Sequence, residues 1–478
     1  MSLLRQVAHN TALQFSGKII GTALGFFVAL MMFRYLGDER YGNFNTTISY
    51  LQLFGIIMDL GLYVVLLKHI NSAENKTGRL QDNIFTLRIV TATIFLAIAI
   101  GTVWFIPQYP LIVQWGVVVV AANFFFITMN QLFQAIFQQH RAMGWVAIAE
   151  VMSKLTLFGS TVSVIYVFQA GLLSILAAIV LAGGVQTLIL WLASRRYTRL
   201  HAAFELPVWK RIMRESWPIA VAIALNLIYF KSDTIILSIY HSQATVGIYG
   251  VPYKMLEVLI SLPVMVVGLI MPVFSLQYEQ HDQAGFAQLY QRSINLLWMM
   301  AAPLIVGGWL LAQPLMLMIA GDEYTSNPAV LGQLFRILIF AVAAIFIGTL
   351  TGYVVVAVNK QRTIIAGYAF VAVTALTGYL WLIPHYSYFG AAWVTVYSET
   401  AMMLIAIAVI YRATKVLPSL AGLLRITLAA GVMGLGVYWM QHWPLLLVIA
   451  LGALLYAFAL LAVKGITRDE LKTVLKHG

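Results

Sequence analysis

The sequence predicts an all-α integral membrane protein with fourteen transmembrane helices. Three observations support this class: an extreme apolar composition, a succession of apolar stretches long enough to cross a bilayer, and an alternation of basic and uncharged loops. Of the 478 residues, 61% are hydrophobic and 10% are charged, whereas about 25% of the residues of soluble domains are charged. So few charged side chains cannot cover a water-facing surface, which excludes a soluble protein.

Fourteen apolar stretches approach or exceed the roughly 20 residues that a bilayer-spanning helix needs. The first contains Lys18 and is longer than the apolar region of a signal peptide, so we expect it to be a retained helix. The connections between stretches are too short to hold a soluble catalytic domain. The predicted spans are 11–35, 42–67, 84–106, 111–137, 145–168, 171–194, 217–240, 245–274, 290–318, 331–357, 363–384, 388–411, 421–440 and 444–463.

The basic residues predict how these spans are oriented. They concentrate in loops that follow even-numbered spans, such as 195–214, whereas loops 107–110, 169–170, 385–387 and 441–443 contain no Lys or Arg. Cytoplasmic loops carry the excess of Lys and Arg, so both termini are predicted to be cytoplasmic. Such loops account for the net charge of +12 without a nucleic-acid partner. Cysteine is absent, which excludes disulfides and cysteine-based metal or nucleophilic chemistry.

Two segments near the first hairpin of each half resemble one another. Residues 35–44 read Tyr-Leu-Gly-Asp-Glu-Arg-Tyr-Gly-Asn-Phe, and residues 240–249 read Tyr-His-Ser-Gln-Ala-Thr-Val-Gly-Ile-Tyr. A second echo pairs 138–141 with 359–362. These matched positions, in six-span blocks that both begin in the cytoplasm, predict a parallel repeat. The predicted domains are a six-helix lobe over 1–200, a second six-helix lobe over 201–416, and two further helices with a basic cytoplasmic tail over 417–478.

Several segments also carry a family resemblance: Asn10-Thr11 through Gly17, Arg34 through Phe44, Asp59 through Leu62, Asp233 through Leu237, and Val246 through Tyr249. They are similar to the polysaccharide transporter family, which includes the O-antigen and exopolysaccharide flippases of the multidrug/oligosaccharidyl-lipid/polysaccharide superfamily. The resemblance implies two six-helix lobes around a central cavity, and transport by alternating access.

The cargo that the resemblance implies is an undecaprenyl-pyrophosphate-linked oligosaccharide. It would move from the cytoplasmic to the periplasmic leaflet of a bacterial inner membrane, for O-antigen or exopolysaccharide biosynthesis. The implied partners are this lipid-linked oligosaccharide, membrane lipids, and a polysaccharide polymerase or chain-length machinery.

Charged residues inside the spans are the candidates for chemistry, because each costs at least about 2.5–3.5 kcal/mol on insertion and generally faces a cavity or a partner. Lys18 and Asp59 lie equally far from the turn at residues 38–39, so they share a depth and can pair. A pair that only stabilises the lobe is the alternative. The charged residues within spans that we considered are Lys18, Asp59, Glu150, Lys154, Lys231, Asp233, Lys254, Glu257, Arg336 and Glu399.

The second hairpin places two lysines at one level near the bilayer midplane. Lys231 and Lys254 are equally far from its turn, about 17 Å along each helix. Two ammonium groups at one depth favour an anionic visitor such as a pyrophosphate. The alternative is local neutralisation, by Asp233 and by Glu257, which is three residues from Lys254. Lys231 is the stronger candidate, because Asp233 points to the opposite side of its helix.

The remaining charges complete the predicted site. Arg336 joins Lys231, Lys254 and Lys18 as a substrate-binding candidate, although it lies near a span end and can snorkel to the surface instead. Glu399 is a lone mid-membrane carboxylate and thus a candidate proton or Na⁺ site or lysine partner. The predicted ion-coupling or charge-partner residues are Asp59, Asp233, Glu257 and Glu399. Two more residues, Tyr229 and Asn226, are candidate sugar contacts. Glu150 and Lys154 have the spacing of a self-satisfied helical pair.

No catalytic or metal-binding residue and no cofactor is predicted. The chain lacks the phosphate-binding loop of ATPases, which leaves a proton gradient, a Na⁺ gradient, the membrane potential or downstream consumption of cargo as the driving force. A cation-coupled multidrug exporter of the same superfamily is one alternative function. A membrane glycosyl transferase or polymerase is a second, although the outer loops are short for such an enzyme.

Overall fold

The computed structural model describes residues 3–69 and 79–463, and within these ranges it describes the side chains from Ile20 onwards, except those of residues 56, 57, 64 and 222. Every regular element in these ranges is helical, and the helices fall into two compact units, Met1–Gly247 and Ile248–Gly478. The basic tail after 463, part of the predicted domain 417–478, lies outside the described residues.

The first unit contains seven helices and the start of an eighth. The helices are α1 (Leu3–Asp59), α2 (Leu62–His69), α3 (Arg79–Val103), α4 (Leu111–Gln139), α5 (Gly144–Val162), α6 (Leu172–Ser194), α7 (Leu206–Tyr240) and α8 (Gln243–Glu279). The helix α5 continues into a π-helical segment, Ser163–Val167.

The second unit holds most of α8 and six further helices. The helices are α9 (Gln283–Leu310), α10 (Ala312–Ala320), α11 (Ala329–Ala357), α12 (Gln361–Thr414), α13 (Leu420–Met440) and α14 (Leu445–Ala462). In this unit α13 and α14 pack against α9 around Ala302, Met433 and Val448.

Twelve of the described helices are long and apolar enough to cross a membrane, and two of them contain a reversal. In α1, Gly37 takes a left-handed φ of 68°, and the rings of Phe33 and Tyr41 meet across it with centroids 4.7 Å apart. In α12, Ser387 has a φ of 54°, and Tyr397 on the returning arm donates to Thr374 at 2.9 Å. The chain is therefore a multi-pass membrane protein, and the fourteen predicted spans are accounted for.

Two predicted spans are interrupted in the structure. The span 42–67 breaks at Leu60 and Gly61, both with left-handed φ, so that α2 is a separate short helix. The span 290–318 breaks at Leu311, between α9 and α10. Apolar composition continues across both breaks, which is why hydropathy alone did not show them.

The contacts divide the chain at a different place from the sequence repeat. In the first unit α7 packs against α1, α2 and α3, although the predicted second lobe begins at residue 201. The boundary at 200/201 therefore stays a prediction about the repeat, and the compact unit extends to Gly247.

The first hairpins of the two sequence repeats contact each other within the first unit, and a glycine on each hairpin allows the close approach. A Cβ atom on Gly42 would overlap the carbonyl oxygen of Gln243, and one on Gly247 would overlap that of Asp38. Gly42 corresponds to Gly247 in the repeat and Asp38 to Gln243, so the two contacts are equivalent. Thr46 Oγ1 donates to Gln243 Oε1 beside them at 2.7 Å. Small residues permit such a close approach of two helices.

A buried arginine joins three helices of the first unit. The Arg88 side chain on α3 is fully buried, and its Nη2 donates to Asp59 Oδ1 at the end of α1 at 2.6 Å. Its Nη1 donates to the carbonyl oxygen of Thr128 at 2.6 Å and to Gln131 Oε1 at 3.1 Å, both on α4. Asp59 is thus paired with Arg88, and the Lys18 side chain of the predicted Lys18–Asp59 pair lies outside the described side chains.

We expect Gly42→Ala to destabilise the protein by about 1–3 kcal/mol, because the added methyl group meets a backbone oxygen that no side-chain rotation can move away. The thermal unfolding temperature of the purified protein measures this effect. Gly101→Ala is the matched control, since a Cβ there meets no atom within 4 Å. Equal stability of the two variants would contradict the crossing.

We expect Arg88→Ala to cost about 3–5 kcal/mol of stability, because it leaves the Asp59 carboxylate without its partner inside the protein. The double variant Arg88→Ala/Asp59→Ala should recover part of this loss. Arg79→Ala, at the exposed start of the same helix where Arg79 pairs with Glu205, should cost at most about 1 kcal/mol. Thermal unfolding that ranks Arg79→Ala as the more damaging change would refute the assignment.

Candidate functional site

The predicted sugar contacts lie together on α7. Asn226 Nδ2 donates to the Tyr229 hydroxyl at 2.8 Å, across one helical turn. Tyr229 is buried, with 5% of its surface exposed. The structure brings the two residues together as the sequence spacing suggests, and their role towards a sugar stays a prediction.

The two charged residues that follow on α7 are buried as well. Lys231 is 7% exposed, and its ammonium group lies 5.4 Å from the ring centroid of Phe230. Asp233 is fully buried, and its Oδ1 accepts a hydrogen bond from the backbone N–H of Thr234 at 2.6 Å. Lys231 is therefore a cation inside the first unit rather than on its surface.

Lys254, the second lysine of the predicted site, differs from Lys231 in its exposure and its partner. Lys254 Nζ on α8 donates to Glu257 Oε2 at 2.8 Å, the local ion pair that the three-residue spacing allowed. The Lys254 side chain is 42% exposed and that of Glu257 is 26% exposed. Of the two lysines that the sequence singles out, Lys254 is the accessible one, although sequence reasoning ranked Lys231 first.

The depth of this ion pair has a consequence for its surroundings. Lys254 lies three turns into α8, about 17 Å from the start of the helix at Gln243. A charged pair at that depth with exposed side chains is too costly to face hydrocarbon, since intramembrane charges face protein or water-filled space. We therefore expect this face of α8 to border a polar space.

Arg336 occupies the position of a snorkelling residue. It lies two turns into α11, its Nε donates to the carbonyl oxygen of Trp309 on α9 at 3.2 Å, and its guanidinium stands 5.3 Å from the Trp309 ring centroid. Both interactions belong to the second unit. The contact of Arg336 with cargo stays a prediction.

Glu399 lies on the returning arm of α12, about 18 Å beyond the reversal at Ser387. Its side chain is partly exposed. The depth of Glu399 in the membrane and its role in ion coupling stay predictions.

The charges on α5 lie against α1. The space above Gly21 is bounded by Lys154 Cγ at 3.5 Å and by Glu150 Oε1 at 3.6 Å from an ideal Cβ. Lys18 precedes Gly21 on the same helix, but its side chain is not among those described. Glu150 and Lys154 therefore face a small residue of α1, which agrees with a role in helix packing.

One buried charged residue was not predicted from the sequence. Arg88 was not among the intramembrane charges considered, although it lies inside the predicted span 84–106. The position of Arg88 inside a predicted span was the sequence signal that could have identified it. Among the described residues, no group of three His, Asp or Glu side chains is arranged to hold a metal ion.

Comparison with known proteins agrees with this architecture. The model of the polysaccharide biosynthesis protein family matches residues 7–277. The "probable flippase AglR" of Haloferax volcanii is 20% identical over 99% of this chain and 99% of its own length.

Solved structures share the fold. The lipid II flippase MurJ, in an inward closed conformation, superposes with a TM-score of 0.78 at 14% identity, covering 94% of this chain and 98% of that one. An inward-facing multidrug resistance MATE family transporter of the MOP superfamily superposes with a TM-score of 0.69 at 15% identity, covering 85% and 98%.

The family resemblance and the all-α membrane class predicted from the sequence are confirmed. The matched range, residues 7–277, exceeds half of the 478 residues. The chain belongs to the polysaccharide biosynthesis protein family.

Proposed function

We propose that this chain is a flippase for a lipid-linked polysaccharide precursor. Its cargo is an undecaprenyl-pyrophosphate-linked oligosaccharide, moved from the cytoplasmic to the periplasmic leaflet of a bacterial inner membrane by alternating access. The product feeds O-antigen or exopolysaccharide biosynthesis, and a polysaccharide polymerase or chain-length machinery receives it. In this orientation both termini are cytoplasmic.

Family membership and the character of the relatives support this proposal. The family is one of polysaccharide biosynthesis, a curated relative that aligns over its full length is a probable flippase, and a flippase for lipid II shares the fold. These findings favour a transporter over a catalytic enzyme.

The observation that carries the proposal is the ion pair of Lys254 and Glu257, whose side chains are 42% and 26% exposed about three turns into α8. An oligosaccharide and a pyrophosphate both need a polar path through hydrocarbon, and in this proposal a polar space beside α8 provides part of one. A pyrophosphate carries more negative charge than a carboxylate, so it can take Lys254 from Glu257 as it passes. We assign Lys254 the direct contact, with Lys231, Lys18 and Arg336 contributing positive potential.

The energy source in this proposal is an ion gradient or the membrane potential. Glu399 is the candidate residue for coupling to H⁺ or Na⁺, because it is a carboxylate predicted at mid-membrane depth. Asp59, Asp233 and Glu257 act as charge partners. Asp59 is committed to Arg88 at 2.6 Å, which favours a structural role for that carboxylate.

A cation-coupled multidrug exporter remains the second candidate, because the MATE transporter shares the fold. An exporter of cationic drugs would present unpaired carboxylates to its cavity. On α8 the carboxylate of Glu257 is instead occupied by Lys254 at 2.8 Å. Protection of an exporter-deficient host against cationic drugs would favour this second function.

We expect Lys254→Ala to reduce periplasmic delivery of the glycan at least tenfold, because the variant loses the contact with the pyrophosphate. Delivery is measured in cells that lack the native gene and carry the variant at wild-type protein level. Lys254→Arg should retain most delivery, and Lys415→Ala, in a loop outside the helices, is the matched control.

The double variant Lys254→Ala/Glu257→Ala separates the two roles of this lysine. If Lys254 serves only to neutralise Glu257, removing both charges restores delivery. We expect the double variant to remain defective, because the cargo still lacks its cation. Full recovery of delivery would refute the assigned contact.

We expect Glu399→Gln to remove the dependence of transport on an ion gradient, because the neutral amide cannot bind or release H⁺ or Na⁺. Lipid-linked glycan translocation into proteoliposomes, with an imposed pH or Na⁺ gradient, measures this. Glu323→Gln, on an exposed loop, should keep the wild-type dependence. An unchanged gradient response in Glu399→Gln would remove this residue from the coupling mechanism.

A further inference from the structure

An apolar groove runs along the first unit between α1 and the end of α5. Its volume is about 670 Å³. Leu24, Phe27 and Met31 line it from α1, and Phe158 and Ile165 line it from α5 and its π-helical end. The α1 residues are spaced by three and four positions, so they form one face of the helix. The walls therefore suit a hydrocarbon chain.

One end of the groove is polar. Arg34 and Tyr35, one turn before the reversal at Gly37, line this end together with Tyr166. The Tyr35 hydroxyl donates to the carbonyl oxygen of Ala170 at 3.0 Å, which ties α1 to the loop after α5. Among the described lining residues Arg34 alone is charged, and it is exposed. The end of the groove at the membrane surface is thus lined by a cationic side chain.

The π-helical segment shapes the wall opposite α1. A π turn inserts an extra residue into a helix and re-aims the side chains that follow it. Here it leaves Ile165 buried and Tyr166 69% exposed, with both lining the groove. The π-helical segment therefore contributes one buried and one exposed side chain to the groove wall.

The dimensions match one leaflet of a bilayer. Leu24 and Arg34 are about 15 Å apart along α1 at 1.5 Å per residue. Half of a hydrocarbon core of about 30 Å has the same thickness. A fatty acyl chain whose phosphate lies at the surface fits this length.

We infer that this groove binds a glycerophospholipid with a single negative charge. One acyl chain lies along Leu24, Phe27 and Met31, and the phosphodiester accepts hydrogen bonds from the Arg34 guanidinium. A single guanidinium matches the charge of a phosphodiester, whereas a pyrophosphate carries more charge. A polyprenyl chain is also longer than one leaflet. The site is thus separate from the cargo path of the proposed function.

The test is lipid binding to the purified full-length protein, measured by native mass spectrometry. Phosphatidylglycerol and phosphatidylcholine with identical acyl chains are titrated separately. We expect about tenfold tighter binding of phosphatidylglycerol to the wild type, as for a charge-assisted contact. Arg34→Gln should abolish this preference, and Arg34→Lys should retain part of it.

Two further variants make the result specific to the groove. Arg40→Gln, an exposed arginine on the same turn that does not line the groove, should keep the preference. Leu24→Trp, which fills the apolar part, should weaken binding of both lipids. A preference that survives in Arg34→Gln, or is lost equally in Arg40→Gln, would overturn the proposal. Tighter binding of undecaprenyl phosphate than of phosphatidylglycerol, sensitive to Leu24→Trp, would also overturn it.

Discussion

A charge inside hydrocarbon must find an opposite charge, a hydrogen-bond partner or water, and this constraint organises the membrane part of the chain. Arg88 satisfies this constraint by pairing with Asp59 and donating hydrogen bonds to two acceptors on α4, and it thereby links three helices. Lys254 satisfies it by pairing with Glu257, and both side chains are partly exposed. The same requirement therefore produces a buried structural pair in one unit and an accessible pair in the other.

This difference in exposure suits the Arg88–Asp59 pair to a role in stability and the Lys254–Glu257 pair to a role in transport. A fully buried pair has little freedom to exchange partners, because either charge alone would be stranded in a medium of low polarity. An exposed pair can open when a stronger anion arrives, since water and the ligand both compensate the separated charges. For this reason Lys254 is a better candidate for contact with a moving cargo than a residue enclosed like Arg88.

The order of helices could be predicted from the sequence because it depends on local properties. Hydropathy located the spans, and uncharged residues 385–387 marked the reversal that the structure places at Ser387. The Lys254–Glu257 pair followed from helical spacing alone. The partner of Asp59 did not, because Arg88 is on another helix and only tertiary packing brings the two together. Burial of Lys231 likewise depends on which helices α7 packs against.

The glycine crossing of the two hairpins has a mechanical consequence. Most helix pairs interlock through ridges of side chains seated in grooves, which hold the angle between the helix axes near a preferred value. Gly42 and Gly247 replace such ridges with bare main chain on both sides of the contact. If one helix tilts over the other, no interdigitated side chains have to separate at this contact. The crossing can therefore act as a pivot between the two helices.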